Sequence, residues 1–196
     1  MKMLALGINH QTVDFALREK LSFSKDYLAH SLRAMLRDTL TEEAIILSTC
    51  HRTEFYCING DVQKTMNWLY RYKKLSHDHL KSHWYVYQQE NVLRHLLRLA
   101  TGLDSKILGE PQILGQIKTA YAFAHSLGSV GVHFNRLFQY VFSASKYVRG
   151  VTDITAHPVS LAFAVVTCAK RIFACLADKK ILLIGAGDTI SLVGKY

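Results

Sequence analysis

The sequence lacks the features that mark several specialised classes of protein. It has no internal repeat, no low-complexity segment and no Cys-x-x-Cys pair among its four cysteines. No apolar run approaches the roughly 18 residues of a membrane-spanning helix, and the apolar run near the N-terminus is too short for a signal peptide. We therefore expect no membrane association, reduced thiols and a cytoplasmic location.

Acidic residues are scarce: 15 Asp and Glu stand against 24 Lys and Arg, giving a formal net charge of +9. This excess favours an anionic partner such as nucleic acid. Because no long Lys/Arg block is present, the charges predict a broad electrostatic face rather than a basic tail. The aromatic RNP run of an RNA-recognition sheet is also missing, but a non-catalytic RNA-binding module remains a candidate function.

Histidine is abundant, with ten residues, which raises the question of a metal site. His77, His79 and His83 cluster, but Lys81 interrupts them and no cysteine or paired motif completes a ligand set. A solvated loop is the simpler interpretation, and no metal site is predicted.

The first hundred residues combine strand-like apolar runs with helical spacing. Ser24 and Asp61 are good N-cap residues for two helices, and a further helix is expected over 89–101. The order β-α-β-β-α-β is that of the ferredoxin-like, split βαβ arrangement. We therefore predict an α+β fold with a ferredoxin-like domain over residues 1–101. Its strands are expected at 3–9, 44–47, 55–58 and 84–87.

After residue 101 the strand signal stops and helical spacing takes over. Pro111 suits the start of a helix. Gly115 within that helix costs about 1 kcal/mol against alanine, which suggests a close approach to its backbone. A second helix is expected to end at Gly150. These elements form a predicted helical extension over residues 102–156.

A third helix is predicted to restart at His157-Pro158 and to link two parts of the chain over residues 157–178. Cys168 and Cys175 lie two turns apart on it and are expected in the core.

Residues 180–184 then read as a buried strand, followed by Gly-Ala-Gly. A strand followed by G-x-G opens a dinucleotide-binding unit, because the glycines allow a tight turn and a close phosphate.

This nucleotide-binding signal is incomplete. Ile190 stands where the third glycine belongs, and the acidic ribose partner about 20 residues further on would fall past Tyr196. One strand and part of a helix also have nothing to pack against. We interpret residues 179–196 as the truncated start of a Rossmann-type unit.

A polar turn with Cys50 at its edge is predicted between two of the strands. Reactive groups are often placed on loops that rigid strands hold. The thiolate is the reactive form of cysteine, and neighbouring cations such as Arg52 lower its pKa. Arg52 can also hold a carboxylate in a bidentate fork. The alternative is a small cysteine at a strand end beside a surface arginine.

Four separated stretches resemble the glutamyl-tRNA reductase family: 7–12 with Arg18-Glu19, 47–54, 102–116 and 183–187. The resemblance implies NADPH-dependent reduction of glutamyl-tRNA to glutamate-1-semialdehyde, the first step of five-carbon tetrapyrrole (haem) biosynthesis. It implies that Cys50 attacks the ester carbonyl to form a thioester, which NADPH then reduces. Family members are longer, with an NADPH domain and a dimerisation domain after the catalytic one. We therefore expect a piece that acylates without reducing.

The resemblance also implies roles for individual residues. Arg52 suits the substrate carboxylate, Glu110 suits its ammonium group, and Ser105 and Gln116 suit the remaining hydrogen bonds. His95 matches a family position linked to activity, and is either a core residue or a catalytic group that orients the substrate or handles a proton. The predicted substrate-binding residues are Thr49, Cys50, His51, Arg52, Ser105, Glu110, Pro111, Gln112 and Gln116.

Two departures from the family pattern stand out. His51 replaces the usual Asn and either tunes the thiolate or faces solvent, and Val13-Asp14 replaces Ala-Pro.

The implied partners are glutamyl-tRNA, a second copy in the full-length homodimer and a downstream aminomutase. The implied cofactor is NADPH, although we expect no useful affinity from this stretch alone. Its predicted contacts are Gly185, Ala186, Gly187, Asp188, Thr189 and Ile190.

Overall fold

A four-stranded antiparallel sheet with helices packed against it forms the first half of the protein. A computed structural model describes residues 1–75, 83–155, 161–173, 175–185 and 188–195. The predicted mixed α+β class is confirmed. The elements of the first half are β1 (Met3–Asn9), α1 (Phe15–Leu21), α2 (Lys25–Thr39), β2 (Glu43–Ser48), β3 (Arg52–Ile58), α3 (Val62–Lys73), β4 (Tyr85–Gln88) and α4 (Glu90–Thr101).

The second half is helical in its described ranges. Its elements are α5 (Gln112–Ser126), α6 (Val132–Val151), a short 3-10 helix (Asp153–Thr155), α7 (Leu161–Ile172) and α8 (Asp188–Val193). The longest of these, α6, packs against α4 and the 3-10 helix. None of the helices described has the length and apolar character needed to cross a membrane.

The strand order of the sheet is β2-β3-β1-β4, and every neighbouring pair is antiparallel. β3 therefore has a partner on each side. Asn9 at the end of β1 lies opposite Arg52 at the start of β3, and Ser48 at the end of β2 lies opposite Thr53. This register brings the loop after β1 and the turn between β2 and β3 to the same end of the sheet, where β1 and β2 finish and β3 begins.

Local capping explains where several helices begin. The Asp61 carboxylate accepts a hydrogen bond of 2.8 Å from the Lys64 amide, as expected of an N-cap residue. Ser24 occupies the N-cap position of α2 but makes no side-chain capping bond. Helix α1 was not predicted from the sequence. Its N-cap is Asp14, whose carboxylate accepts from the Leu17 amide at 2.8 Å.

Several expectations for the second half are wrong. A Cβ at Gly115 would meet nothing within 4 Å, so no group approaches that backbone closely. Helix α7 ends at Ile172 instead of 178, whereas α6 ends at Val151, one residue after the expected Gly150. Cys168 and Cys175 are exposed and not in the core.

The predicted strand over 180–184 is also wrong. These residues adopt no regular structure, and Leu182 and Ile184 are each 83% exposed. A strand requires a neighbouring strand to satisfy its backbone groups, and within the described ranges the sheet contains only β1 to β4. The predicted helix start at His157-Pro158 lies outside the described residues.

Candidate active site

Cys50 lies in the turn between β2 and β3, at the end of the sheet. The Thr49 amide donates to the Arg52 carbonyl at 2.8 Å, which closes the turn. The Thr49 hydroxyl accepts from the amides of His51 and Arg52, each at 3.2 Å. The turn is therefore held by its own polar groups, and Cys50 remains exposed to solvent.

Two neighbouring segments hold this turn from outside. The Arg18 side chain on α1 donates from Nε to the Cys50 carbonyl at 2.8 Å and from Nη1 to the Val13 carbonyl at 3.3 Å. The His10 amide donates to the His51 carbonyl at 3.0 Å. Arg18 thus holds the backbone of the candidate nucleophile. The sequence did not indicate this role, because Arg18 and Cys50 are far apart along the chain.

The loop over residues 102–110 approaches the cysteine turn from α4. Gly102 and Gly109 have φ values of +86° and +77°, and the Gly109 amide donates to the Gly102 carbonyl at 3.0 Å. A Cβ at Gly109 would overlap the carbonyl oxygen of Ile154. The glycine pair therefore closes the loop and lets it pack against the 3-10 helix. Arg149 on α6 ties it further by donating to the Glu110 carbonyl at 3.3 Å.

A pocket of about 60 Å³ lies where the turn, this loop and α5 meet. It brings together most of the predicted substrate-binding residues and some that the sequence did not indicate. Pro111, also predicted for the site, is the N-cap of α5. The predicted residues that line the pocket are Thr49, Cys50, His51, Arg52, Ser105, Glu110, Gln112 and Gln116. The unpredicted ones are Lys106, Ile107, Ile113, Ala162 and Leu192.

The Arg52 guanidinium is engaged inside the protein. Its Nη1 lies 2.7 Å from Glu54 Oε1, and its Nη2 donates to the Asp104 carbonyl at 2.5 Å. The alternation of a strand places Arg52 and Glu54 on one face, so they meet directly. A guanidinium has further N–H donors, and Arg52 also lines the pocket at Cys50.

Glu54 is the centre of a buried hydrogen-bond network. Its carboxylate accepts from Arg52, from the hydroxyls of Tyr56 and Tyr85, and from His95 Nε2 at 3.1 Å. Burial raises the pKa of Glu54, but the charges of His95 and Arg52 and the hydrogen bonds of His95 and Tyr56 outweigh it. The pKa of this carboxyl therefore lies well below its usual range.

His95 contacts this network and not the pocket lining. Its ring stacks on Tyr87 at a centroid distance of 4.6 Å and is tilted against Tyr85. Glu54 lies between His95 and Arg52 in this network and accepts hydrogen bonds from both. The expectation of an apolar helix face is met by the buried Val92, Leu96 and Leu99.

The electrostatics at Cys50 differ from the expectation. Burial and the Glu110 carboxylate raise the pKa of the thiol, and the opposing charges of Arg18 and Lys106 are too weak to reverse this. The prediction that Arg52 activates the thiol is wrong, because its charge is directed at Glu54. Burial, followed by the charge of Lys106, lowers the pKa of His51.

Glu110, which supplies the carboxyl group of the pocket lining, is half-buried. Burial raises the pKa of its carboxyl, against the pull of Arg52. A carboxylate beside an exposed thiol disfavours the thiolate but favours a bound cation such as an ammonium group.

The predicted nucleotide stretch does not form a cradle in the described residues. Gly185 has a φ of +120°, but the strand that should precede it is absent. Asp188, Thr189 and Ile190 begin α8, a helix of six residues, and Ala186 and Gly187 lie outside the described residues. The described part of this stretch therefore does not fit a dinucleotide. Among the residues described, no three His, Cys, Asp or Glu side chains converge as metal ligands.

Comparison with known proteins identifies a family. The family model described as "Glutamyl-tRNAGlu reductase, N-terminal domain" matches residues 6–152. The glutamyl-tRNA reductases of Shewanella amazonensis and Shewanella loihica are each 48% identical over 196 residues, which is 100% of this chain and 47% of theirs. The chain thus spans about half the length of these curated relatives.

A solved structure shows the same relationship at lower identity. The structure of glutamyl-tRNA reductase from Methanopyrus kandleri matches 98% of this chain and 45% of its own, with a TM-score of 0.68 and 29% identity. The family match, the identity over the whole chain and this structural likeness lead to one assignment. The chain belongs to the glutamyl-tRNA reductase family.

Proposed function

We propose that this chain carries the acyl-transfer site of a glutamyl-tRNA reductase, with Cys50 as the nucleophile. The observation that carries the proposal is the convergence of three segments on one exposed thiol. The β2–β3 turn, the 102–110 loop and α5 all line the pocket at Cys50. An ordinary surface cysteine has no such surroundings.

The proposed step transfers the glutamyl group from the tRNA to sulfur. The Cys50 thiolate attacks the ester carbonyl carbon, an S–C bond forms, and the C–O bond to the terminal ribose breaks. The ribose oxygen takes up a proton and leaves with the tRNA. A thioester is less resonance-stabilised than an ester, so a second, reductive step becomes easier.

Side chains of the pocket suit the charges of a glutamyl group. The free N–H donors of Arg52 match the side-chain carboxylate, and Glu110 matches the ammonium group. Ser105 and Gln116, which also line the pocket, supply neutral hydrogen-bonding groups. Shorter or uncharged acyl groups would leave these polar groups unpaired, which a partly buried site penalises.

His95 has a positioning role in this proposal. It hydrogen-bonds Glu54 and stacks on Tyr87, and Glu54 in turn fixes Arg52. A His95→Asn variant is expected to weaken substrate binding through Arg52 more than it slows the chemical step. An unchanged KM with a strongly reduced acylation rate would instead favour direct proton transfer by His95.

NADPH supplies the hydride that the family's reduction requires. The described residues of 179–195 do not fit that cofactor, so the reductive step is not assigned to residues of this chain. The prediction remains that the chain acylates without reducing. Dimerisation, transfer of the product to an aminomutase and a cytoplasmic location also stay predictions.

The element order and the strand order β2-β3-β1-β4 support a ferredoxin-like domain over residues 1–101. We further infer a helical extension over 102–156 and a linking helix within 157–178. The assignment of 179–196 to the start of a Rossmann-type unit stays a prediction that the described residues do not support, because 180–184 form no strand. Arg149 donates hydrogen bonds to the carbonyls of Ala100 and Glu110. These bonds support treating residues 1–101 and 102–156 as one catalytic unit.

Deacylation of glutamyl-tRNA tests the proposed function. A thioester that is not reduced should hydrolyse slowly, so the chain should release glutamate above the buffer rate. Cys50→Ser should lose this release and keep tRNA binding. Retained deacylation in Cys50→Ser would remove the proposed nucleophile, and tRNA binding without any deacylation would favour the alternative of a non-catalytic tRNA-binding module.

A further inference from the structure

The Cys50 thiol has to lose a proton before or during the acyl transfer. The thiolate is the attacking form, but burial and the Glu110 carboxylate raise the pKa of this thiol. At neutral pH most of the sulfur therefore still carries its proton. A general base within hydrogen-bond reach of the thiol, directly or through one water, would take that proton up as the S–C bond forms.

Of the described side chains that line the pocket, His51 and Glu110 have the chemistry of a general base. The Glu110 carboxylate matches the ammonium group of the substrate in the proposed binding mode, and its charge opposes the thiolate. His95 hydrogen-bonds Glu54 and does not line the pocket. His51, which follows Cys50 directly in the turn, is therefore the side chain placed to accept the proton.

The backbone of His51 is fixed, and one nitrogen of its ring has no partner. The His51 amide donates to the Thr49 hydroxyl at 3.2 Å, and the His51 carbonyl accepts from the His10 amide at 3.0 Å. The two histidine rings meet edge-on, with centroids 6.1 Å apart. His51 Nδ1 is buried and has no hydrogen-bond partner among the described residues. Buried polar atoms are normally paired, so a partner such as a thiol or a bridging water is expected there.

The surroundings of His51 favour the neutral ring, which is the form that accepts a proton. Burial lowers the pKa of the ring, and four neighbouring groups lower it further: Lys106, His10, Arg18 and Arg52. These groups reach the ring from different segments of the chain. Because they are basic, an imidazolium formed at His51 would also pass its proton on readily.

We propose that His51 is the general base of the acyl transfer and the general acid for its leaving group. The inference rests on the proposed function. As Cys50 Sγ attacks the ester carbonyl carbon, the thiol proton moves to a ring nitrogen of His51. When the C–O bond breaks, the imidazolium gives this proton to the ribose oxygen. The ring ends neutral, the tRNA leaves with a free hydroxyl, and no further reactant is consumed.

A matched variant for this role is His51→Asn. Asn is the usual residue of the family at this position, so the variant should fold and keep the turn, but an amide cannot take up a proton near neutral pH. His133→Asn, at an exposed position of α6, is the control. Glutamate α-ethylamide, an unreactive amide without the tRNA, reports on the pocket, and all three chains should bind it with the same affinity within about two-fold.

The pH dependence of acylation tests the proposal. Single-turnover acylation by glutamyl-tRNA is quenched in acid and followed by intact mass between pH 6 and pH 9. The wild-type rate should level off above about pH 6.5, the ordinary pKa of an imidazole, because His51 is then neutral. The His51→Asn rate should be about a hundred-fold lower at pH 7. It should rise by about ten-fold per pH unit, as the thiolate forms without help, so the deficit shrinks towards pH 9.

Two results would overturn the role of His51 and leave Cys50 as the nucleophile. His51→Asn could be acylated with the rate and pH profile of the wild type. It could also show the same deficit at every pH together with weaker ethylamide binding, which would mean that the ring only shapes the pocket. A wild-type chain that gains no glutamyl group at any pH would instead refute the acyl transfer itself, and this inference with it.

Discussion

Arg52 and Glu54 form an ion pair of 2.7 Å inside the sheet, with side chains only 2% and 1% exposed. The pair joins the pocket at Cys50 on one side to His95, Tyr56 and Tyr85 on the other. A buried charge loses its hydration and needs a partner to compensate. The position of Arg52 in the pocket lining therefore depends on a carboxylate that does not itself line the pocket.

Removing the charge of Glu54 should destabilise the fold strongly. Glu54→Gln leaves Arg52 buried without its counter-charge, and breaking such a pair costs about 3–5 kcal/mol. Urea unfolding measures this loss. Glu42→Gln is the matched control, because Glu42 is exposed and surface changes stay within about 0.5 kcal/mol. Equal stability of the two variants would contradict the central role of the pair.

The same pair predicts how stability varies with pH. The pKa of folded Glu54 lies well below its usual range, so the unfolded chain binds the proton more readily. The stabilisation is complete above the unfolded value of about 4.3 and is lost as the pH falls below it. The difference in unfolding free energy between wild type and Glu54→Gln should therefore shrink from pH 6 to pH 3. A constant or growing difference would contradict this.

The reactivity of Cys50 should increase when Glu110 is neutralised. Burial is the main cause of the raised pKa of the thiol, and the Glu110 carboxylate is the next. Glu110→Gln removes a negative charge beside the sulfur, so more thiolate forms at pH 7.5 and alkylation by iodoacetamide should be several-fold faster.

This alkylation experiment requires a defined background. The exposed Cys168 and Cys175 are replaced by Ser, and Cys57 is buried with a pKa raised to about 12, so it does not compete. Glu19→Gln, on the exposed side of α1, is the control. Slower alkylation in Glu110→Gln would show that Glu110 promotes the thiolate.

Arg18 should affect acylation more than it affects the thiol itself. It donates to the carbonyls of Cys50 and Val13, and the ammonium group of Lys cannot reproduce that fork. Arg18→Lys should slow acylation by glutamyl-tRNA by about ten- to a hundred-fold, because small misplacements of a nucleophile are costly. Alkylation of Cys50 by iodoacetamide should change less than two-fold. Arg37→Lys, on the exposed face of α2, is the control.

The glycine pair of the 102–110 loop gives a further prediction. Gly109→Ala places a Cβ against the Ile154 carbonyl and at a φ of +77°, a strain of about 1–3 kcal/mol. Thermal unfolding should show this loss, together with weaker binding of glutamate α-ethylamide. Gly150→Ala, which meets nothing within 4 Å, should be neutral or stabilising. Full ethylamide affinity in Gly109→Ala would mean that the loop does not shape the pocket.

Local pattern and family resemblance were sufficient to predict the outline of the site. The strand–turn–strand around Cys50 follows from apolar runs and turn residues. The grouping of Ser105, Glu110 and Gln116 with Cys50 followed from the resemblance, since nothing in their spacing brings a loop after α4 to the end of β2.

The electrostatics were not predictable from the sequence. Arg52 is close to Cys50 along the chain, which suggested an activated thiol. Its charge is instead neutralised by Glu54, whose environment depends on Tyr85 and His95 more than 30 residues away. The strand predicted at 180–184 is wrong for a comparable reason. An apolar run becomes a strand only where another strand is available to pair with it.

The most direct test of the account is the intact mass of the chain after mixing with glutamyl-tRNA and quenching in acid, where thioesters survive. Cys50→Ser is measured alongside. We expect one added glutamyl group on the wild-type chain and none on the variant. A wild-type chain that binds glutamyl-tRNA and stays unmodified, or an adduct of equal amount on Cys50→Ser, would contradict it.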